Sequence, residues 1–241
     1  MNRSSRRRVP RWAKLALGAL AVYLVVAYLI LPWFGERRAR RHPDLLDGER
    51  ITHTHNGLPG DPLNIALVGG EADVIHALVS AGWVAANPLG LRSDLRIAAD
   101  SVFDKPDPNA PVSNLYLFGR KEDLAYEKPI GHSPRERHHV RFWRSEWIDE
   151  GRPVWMGAVT HDVRVELSRT TGQVTHRIAP DVDSERDFLL AELQPATVSA
   201  ATRWIEGFHK ELNGHNGGGD PWHTDGRLAV ATLRPLPAPP P

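Results

Sequence analysis

Twenty uncharged and mostly apolar positions run unbroken from Leu15 to Phe34, and nothing later in the chain repeats that pattern. As a helix rising about 1.5 Å per residue, the run spans roughly 30 Å, the hydrocarbon thickness of a bilayer. A core helix would keep a polar stripe, and none interrupts this one. A cleaved signal peptide would close on small residues, whereas this run closes on Leu31-Pro32-Trp33-Phe34 and then Gly35-Glu36-Arg37-Arg38. Trp12 and Trp33-Phe34 mark the two ends, where amphipathic rings favour the headgroup region. The pattern predicts one transmembrane helix over residues 15–34, preceded by a basic tail over 1–14.

The pattern then changes. Over residues 35–60 no apolar period survives, and Pro43, Gly48, Gly57, Pro59 and Gly60 punctuate a stretch that reads as a juxtamembrane linker. Residues 61–233 suffice for one domain with its own core. Leu63–Val68 reads as a short apolar strand, running through Gly69-Gly70 into a helix from about Glu71 to Ala81 that stops at Gly82. Leu95, Ala98, Ala99 and Val102 predict a second helix after Ser93. Strands follow at Val112–Phe118, His138–Trp143, Val154–Thr160, His161–Leu167 and Gln173–Ile178. Two helices come next, about Ser184–Leu193 and Thr197–Leu212, and a strand at Leu228–Leu233 closes the domain. Helices around a central run of strands indicate an α+β fold with a mainly antiparallel central sheet and flanking helices. Residues 234–241 form a proline-rich tail.

Charge refines this picture. The formal net charge of +1 hides two opposite parts. Residues 1–41 hold ten Lys/Arg and one acid, while the other 200 residues hold twenty Lys/Arg and twenty-eight acids. An acidic domain argues against nucleic acid as a partner, because phosphate binding needs a basic face. Membrane lipids suit the basic ends of the apolar run. Six basic residues precede the run and four follow it, which favours a cytoplasmic amino terminus and a domain on the non-cytoplasmic side. The chain has no cysteine, so redox compartment is not encoded.

Several phrases of the domain resemble the LssY carboxy-terminal domain family. They are Asp61-Pro62-Leu63-Asn64-Ile65-Ala66-Leu67-Val68-Gly69, Arg92-Ser93, and Ala110-Pro111-Val112-Ser113 leading to Leu115-Tyr116-Leu117-Phe118-Gly119. Glu127-Lys128-Pro129, Ser133-Pro134-Arg135 and His138-His139-Val140-Arg141-Phe142-Trp143 match most closely. Thr175-His176-Arg177-Ile178, followed by Asp181, Asp183, Glu185 and Arg186, resembles a second signature. The resemblance covers residues 61–233 and implies a membrane protein of the cell envelope, from a family named for a locus linked to type I secretion. Its relatives are often fused to multi-span membrane modules. This chain has one apolar span and no P-S-G-H phosphatase motif, so phosphatase chemistry does not carry over.

Twelve histidines are the residues most suggestive of chemistry. Strand alternation puts His161 with Val163 and Val165, His176 with Val174 and Ile178, and His138 with Val140 and Phe142, all on a side that should be buried. His138, His139 and His176 are therefore candidate catalytic residues of a metal- or histidine-dependent hydrolase. His138, His161 and His176, with Asp181 or Asp183, are candidate ligands for a divalent metal. Pairing Val165 with His176 would place His161 about 13 Å along the strand, too far to share an ion with His176. Ser184 and Asp187 fit a capping box, which gives the nearby acids a purely structural role. No G-x-S-x-G, H-E-x-x-H or catalytic cysteine accompanies the histidines.

Arg135, Arg137, Arg141 and Arg144 fall within ten residues, interleaved with Trp143 and a single acid, Glu136. Arginine forks grip phosphate or carboxylate, and an indole packs on a sugar ring or an acyl chain, so these five residues are the candidate ligand-binding set. Pairing of the same arginines with the domain's acids is the competing reading. The sequence thus points to a single-pass membrane protein acting as a binding or accessory module for an anionic lipid, a glycolipid, or another membrane or secretion-linked protein. A hydrolase is the alternative.

Overall fold

The computed structural model describes residues 11–30, 50–55, 57–86, 114–131, 133–167, 174–194 and 199–237. The described residues form an α+β fold built on mainly antiparallel sheets. Strands β1 (Ile51–His53), β2 (Pro59–Pro62), β5 (Tyr116–Leu117) and β6 (Arg120–Lys121) form a small sheet in the order β2-β1-β5-β6. The main sheet holds β3 (Ile65–Val68), β4 (Val84–Ala85), β7 (Leu124–Ile130), β8 (Ser133–Asp149), β9 (Arg152–Leu167), β11 (Ser199–Ile205) and β14 (Leu228–Leu233). Its order is β11-β14-β3-β9-β8-β7-β4, with β10 (Val174–Ile178) also paired to β9. β12 (Asn213–His215) and β13 (Pro221–His223) make a separate hairpin. Only the β14–β3 pair is parallel among the described strands. The helices are α1 (Arg11–Val25), α2 (Glu71–Ser80) and α3 (Val182–Leu193), and a π-helical turn, Val26–Ile30, prolongs α1.

The core of the molecule is the β8–β9 hairpin, far longer than the short strands legible in the sequence. Glu150 (φ 49°) and Gly151 (φ 77°) form its two-residue turn, and positive φ at both matches the twist of the paired strands. Alternation along β8 and β9 separates two faces. Val140, Phe142, Trp155 and Val159 point to α2 and α3, where they pack with Val74, Leu78, Leu189 and Leu193. Trp143, Met156 and Ala158 point the other way and pack with Leu63, Leu115 and Leu117, which brings the small sheet onto that face.

β9 carries two neighbours on one edge. β3 pairs with its Val154–Gly157 portion and β10 with its Asp162–Leu167 portion. Between them Asn64 stands in for a strand. Its Oδ1 accepts from the Val159 N–H at 3.0 Å, while its Nδ2 donates to the carbonyls of Val159 at 3.0 Å and Val182 at 2.8 Å. The buried carboxamide thereby fixes the start of α3 against the sheet.

Some elements differ from the sequence expectation. β1 and β2 fall in or at the edge of the stretch read as linker. Residues 199–205, expected in a helix, form edge strand β11 paired along β14. Thr202, Trp204 and Ile205 favour strand geometry, and the ladder satisfies backbone groups that a short helix would leave open. The cap of α3 is Asp181 rather than Ser184. Its carboxylate accepts from the N–H groups of Asp183 and Ser184. α2 ends as expected, with Gly82 left-handed at φ 81°. The helix expected after Ser93 lies outside the described residues.

Residues 15–30 are helical as expected, the helix starts earlier, at Arg11 in the stretch read as the basic tail, and the side chains of Trp12, Leu15, Leu17, Leu20 and Val22 are exposed. No helix among the described residues is long and apolar enough to cross a membrane. Residues 31–34, which complete the apolar run, are not among them.

Candidate functional site

Away from the helices, β8 and β9 place charged side chains where apolar ones would be expected. The register sets Arg137 opposite Asp162, His139 opposite Thr160 and Arg141 opposite Ala158, with Glu127 of β7 beside His139. All of these except Ala158 are polar, and all are buried. Arg137 donates through Nη1 to Glu127 at 2.8 Å and through Nε to Asp162 at 3.1 Å. Arg141 Nη1 reaches Asp61 Oδ2 of β2 at 3.3 Å, an ion pair that ties the small sheet to the main one. Thr52 fixes Asp61 further, its Oγ1 donating to the Asp61 carbonyl and accepting from the Asp61 N–H.

His176 joins this network through a β-bulge. Arg177 pairs with Arg164, but Ile178 pairs with Asp162, so Val163 is an extra residue in β9. The extra residue reverses the alternation, and His176, opposite Val165, emerges on the side of Arg137, whose Nη2 lies 3.3 Å from its Nε2. The expected Val165–His176 register is present. The expected common face for His138, His161 and His176 is not.

Burial shapes the electrostatics. Asp61 is pushed up to about 6, chiefly by removal from water and against the pull of Arg141. Burial also raises Glu127, again against its arginine partner. Burial depresses His139 well below the ordinary imidazole value, helped by Arg141 and Arg137. Burial likewise brings His176 down to about 4, with Asp162 opposing. Both imidazoles are therefore neutral at pH 7. His139 Nε2 and Thr160 Oγ1, side by side across the β8–β9 pair, are buried without a hydrogen-bond partner. Clusters of buried ionisable groups with displaced proton affinities are characteristic of functional sites, and orphaned polar atoms among them are uncommon in a finished core.

The other face carries a second, smaller cluster. His138 and His161 are cross-strand partners with ring centroids 5.4 Å apart. Glu185 of α3 accepts from His138 Nδ1 at 2.7 Å and lies 3.8 Å from His161 Nδ1, while Phe188 stacks on the His138 ring at 3.9 Å. The sheet lies between this pair and His139 with His176. Asp181 is occupied as the α3 cap. Asp183 accepts from buried Arg186 at 2.9 Å and from Thr224 Oγ1 at 2.9 Å. Among the described residues no group of three or more His, Asp or Glu side chains is arranged to hold a metal ion.

The arginine-rich segment is divided in the same way. Arg137 and Arg141 enter the buried network, Trp143 is wholly buried in the core, and Arg144 is exposed. Arg135 lies in β8, with its side chain outside the described part. Alternation alone separates Arg144 from Arg137 and Arg141, so these residues do not form one surface patch. Asp61, Glu127, Asp162, Thr160 and Glu185 complete the two clusters and were not legible as site residues. Pro129 disguises β7 and so hides Glu127, while alternation puts Asp162 on the face opposite Val163 and Val165, where a charged residue draws no notice.

No curated protein and no solved structure matches the chain. The phrases that carry the sequence resemblance supply Asp61, Glu127, His139, Arg141 and His176 to the buried network, and His138 and Glu185 to the second cluster. The family model for the LssY C-terminus matches residues 42–228, a span that begins before β1 and ends at the first residue of β14. The chain belongs to the LssY C-terminus family.

Proposed function

We propose that the chain is a single-pass membrane protein whose LssY domain serves the cell envelope as a binding or accessory module for a lipid or glycolipid headgroup or a membrane partner. The apolar run from Leu15 to Phe34 and the exposed apolar side chains of α1 support the tether. The excess of basic residues before the run supports a domain on the non-cytoplasmic side. The observation that carries the binding reading is the buried network of Asp61, Glu127, Arg137, His139, Arg141, Asp162 and His176, with His139 Nε2 and the neighbouring Thr160 Oγ1 left without a hydrogen-bond partner. A core designed only for stability gains little from such a network, since apolar replacements of equal volume serve as well.

One observation favours a hydrolase as a second reading. Glu185 holds His138 through Nδ1, which leaves Nε2 to act as a general base toward water. The full chain in nanodiscs of phosphatidylcholine, alone or doped with phosphatidylglycerol or a glucosyl-diacylglycerol, separates the readings. Binding raises the thermal midpoint with one doped lipid, and Asp61→Asn removes the rise. Turnover of a doped lipid that disappears in His138→Gln supports the hydrolase. Equal midpoints in all three membranes with no turnover contradict both.

A further inference from the structure

The buried network is crowded with charge, yet little of that charge is open to a ligand. Arg137 is engaged by Glu127 and Asp162, and Arg141 by Asp61. Asp220, buried nearby, accepts from the Ile178 N–H at 3.4 Å and adds a further carboxylate that acts on Asp61. Four carboxyl groups therefore face two guanidinium groups. An anion entering here meets arginines already neutralised and carboxylates that repel it, while a cation meets carboxylates already paired and arginines beside them.

Two uncharged side-chain atoms beside these ion pairs are buried without a hydrogen-bond partner. His139 presents Nε2 and Thr160 presents Oγ1, neighbours on one face and both buried without a partner. A neutral imidazole offers one donor or one acceptor, and a hydroxyl offers both. Hydroxyl groups of a ligand match that pair, because each can donate and accept. A site built to hydrogen-bond a hydroxyl leaves its own polar groups unsatisfied when the hydroxyl is missing, which is the source of its selectivity.

We propose that the pair His139 Nε2 and Thr160 Oγ1, framed by the Arg137 and Arg141 ion pairs, binds a neutral hydroxyl-rich group of the sugar class. This rests on the binding reading above and narrows it to glycosyl rather than phosphate headgroups. Loss of the orphaned hydroxyl should stabilise the empty protein while abolishing recognition, a combination that a purely structural threonine does not give.

The test uses the full chain, 15N-labelled at histidine, in phosphatidylcholine nanodiscs. The His139 imidazole nitrogens are followed while a mixture of methyl glucoside, galactoside and mannoside is added, and separately glycerol 3-phosphate. The glycosides should move the His139 signals. Thr160→Val should weaken that response roughly tenfold or more and raise the ligand-free thermal midpoint, and Thr160→Ser should restore the response. A response to glycerol 3-phosphate alone, or to neither probe, overturns the proposal. So does a glycoside response that Thr160→Val leaves intact. Retention of the chain in membranes after a carbonate wash is scored in parallel, so failure of sugar recognition is separable from failure of the tether.

Discussion

Arg137 holds the most exacting position in the domain: its side chain is 3 % exposed, and both of its carboxylate partners are as deeply enclosed. Removing one partner from a buried ion pair leaves the other charge uncompensated, at a cost of about 3–5 kcal/mol. Arg137→Leu should therefore lower the urea midpoint by that equivalent, whereas Arg144→Leu, at an exposed site, should change it little. Gly157 is demanding for a steric reason. A Cβ there would lie 2.5 Å from Phe142 Cε1 and 2.7 Å from Ile65 Cγ2, so Gly157→Ala should destabilise by about 1–3 kcal/mol, measured in the same way. The histidines add a pH dependence. His176 binds a proton at about 4 in the folded state and near 6.5 in the unfolded one. Between those values the unfolded state holds more protons, so this contribution is full above 6.5 and is lost as the pH falls through about 4. Asp61 runs oppositely: its contribution is full below 3.8 and is lost as the pH rises through about 6. Urea midpoints of His176→Gln should consequently fall less steeply than wild type on acidification from pH 6.5.

At the scale of elements, local chemistry was legible where it acts within a few residues. The stop of α2 at Gly82, the strand at Leu228–Leu233 and the register of His176 on Val165 all follow from short-range pattern. Long-range pairing was not legible. Edge strand β11 resembles a helix until β14 is beside it, and the bulge at Val163 has no sequence mark. That bulge matters most to the site, because it transfers His176 from the His138 side to the Arg137 side. The histidines stand out in the sequence, but which of them share a face depends on one inserted residue. The β8–β9 turn offers a simple check on the hairpin. Glu150 adopts φ 49° without the freedom of glycine or the preference of asparagine. Glu150→Asn should raise the thermal midpoint, with a gain of about 0.5–1 kcal/mol.

Across the whole molecule, a basic, apolar amino-terminal part is joined to an acidic domain, and the two parts have different demands. In the function proposed above, the apolar run is the tether and the buried network the recognising part. Two of the four arginines that suggested anion binding, Arg137 and Arg141, are enclosed with carboxylates of their own. The recognition proposed for the domain depends on that enclosure. The most direct measurement is a pH titration of the histidine side-chain nitrogens in the full chain in nanodiscs. His139 should stay neutral throughout the range in which free imidazoles protonate, and His176 should reach half-protonation only near 4. Ordinary titration of both near 6.5 would mean that the network is open to water, and would contradict the site proposed here.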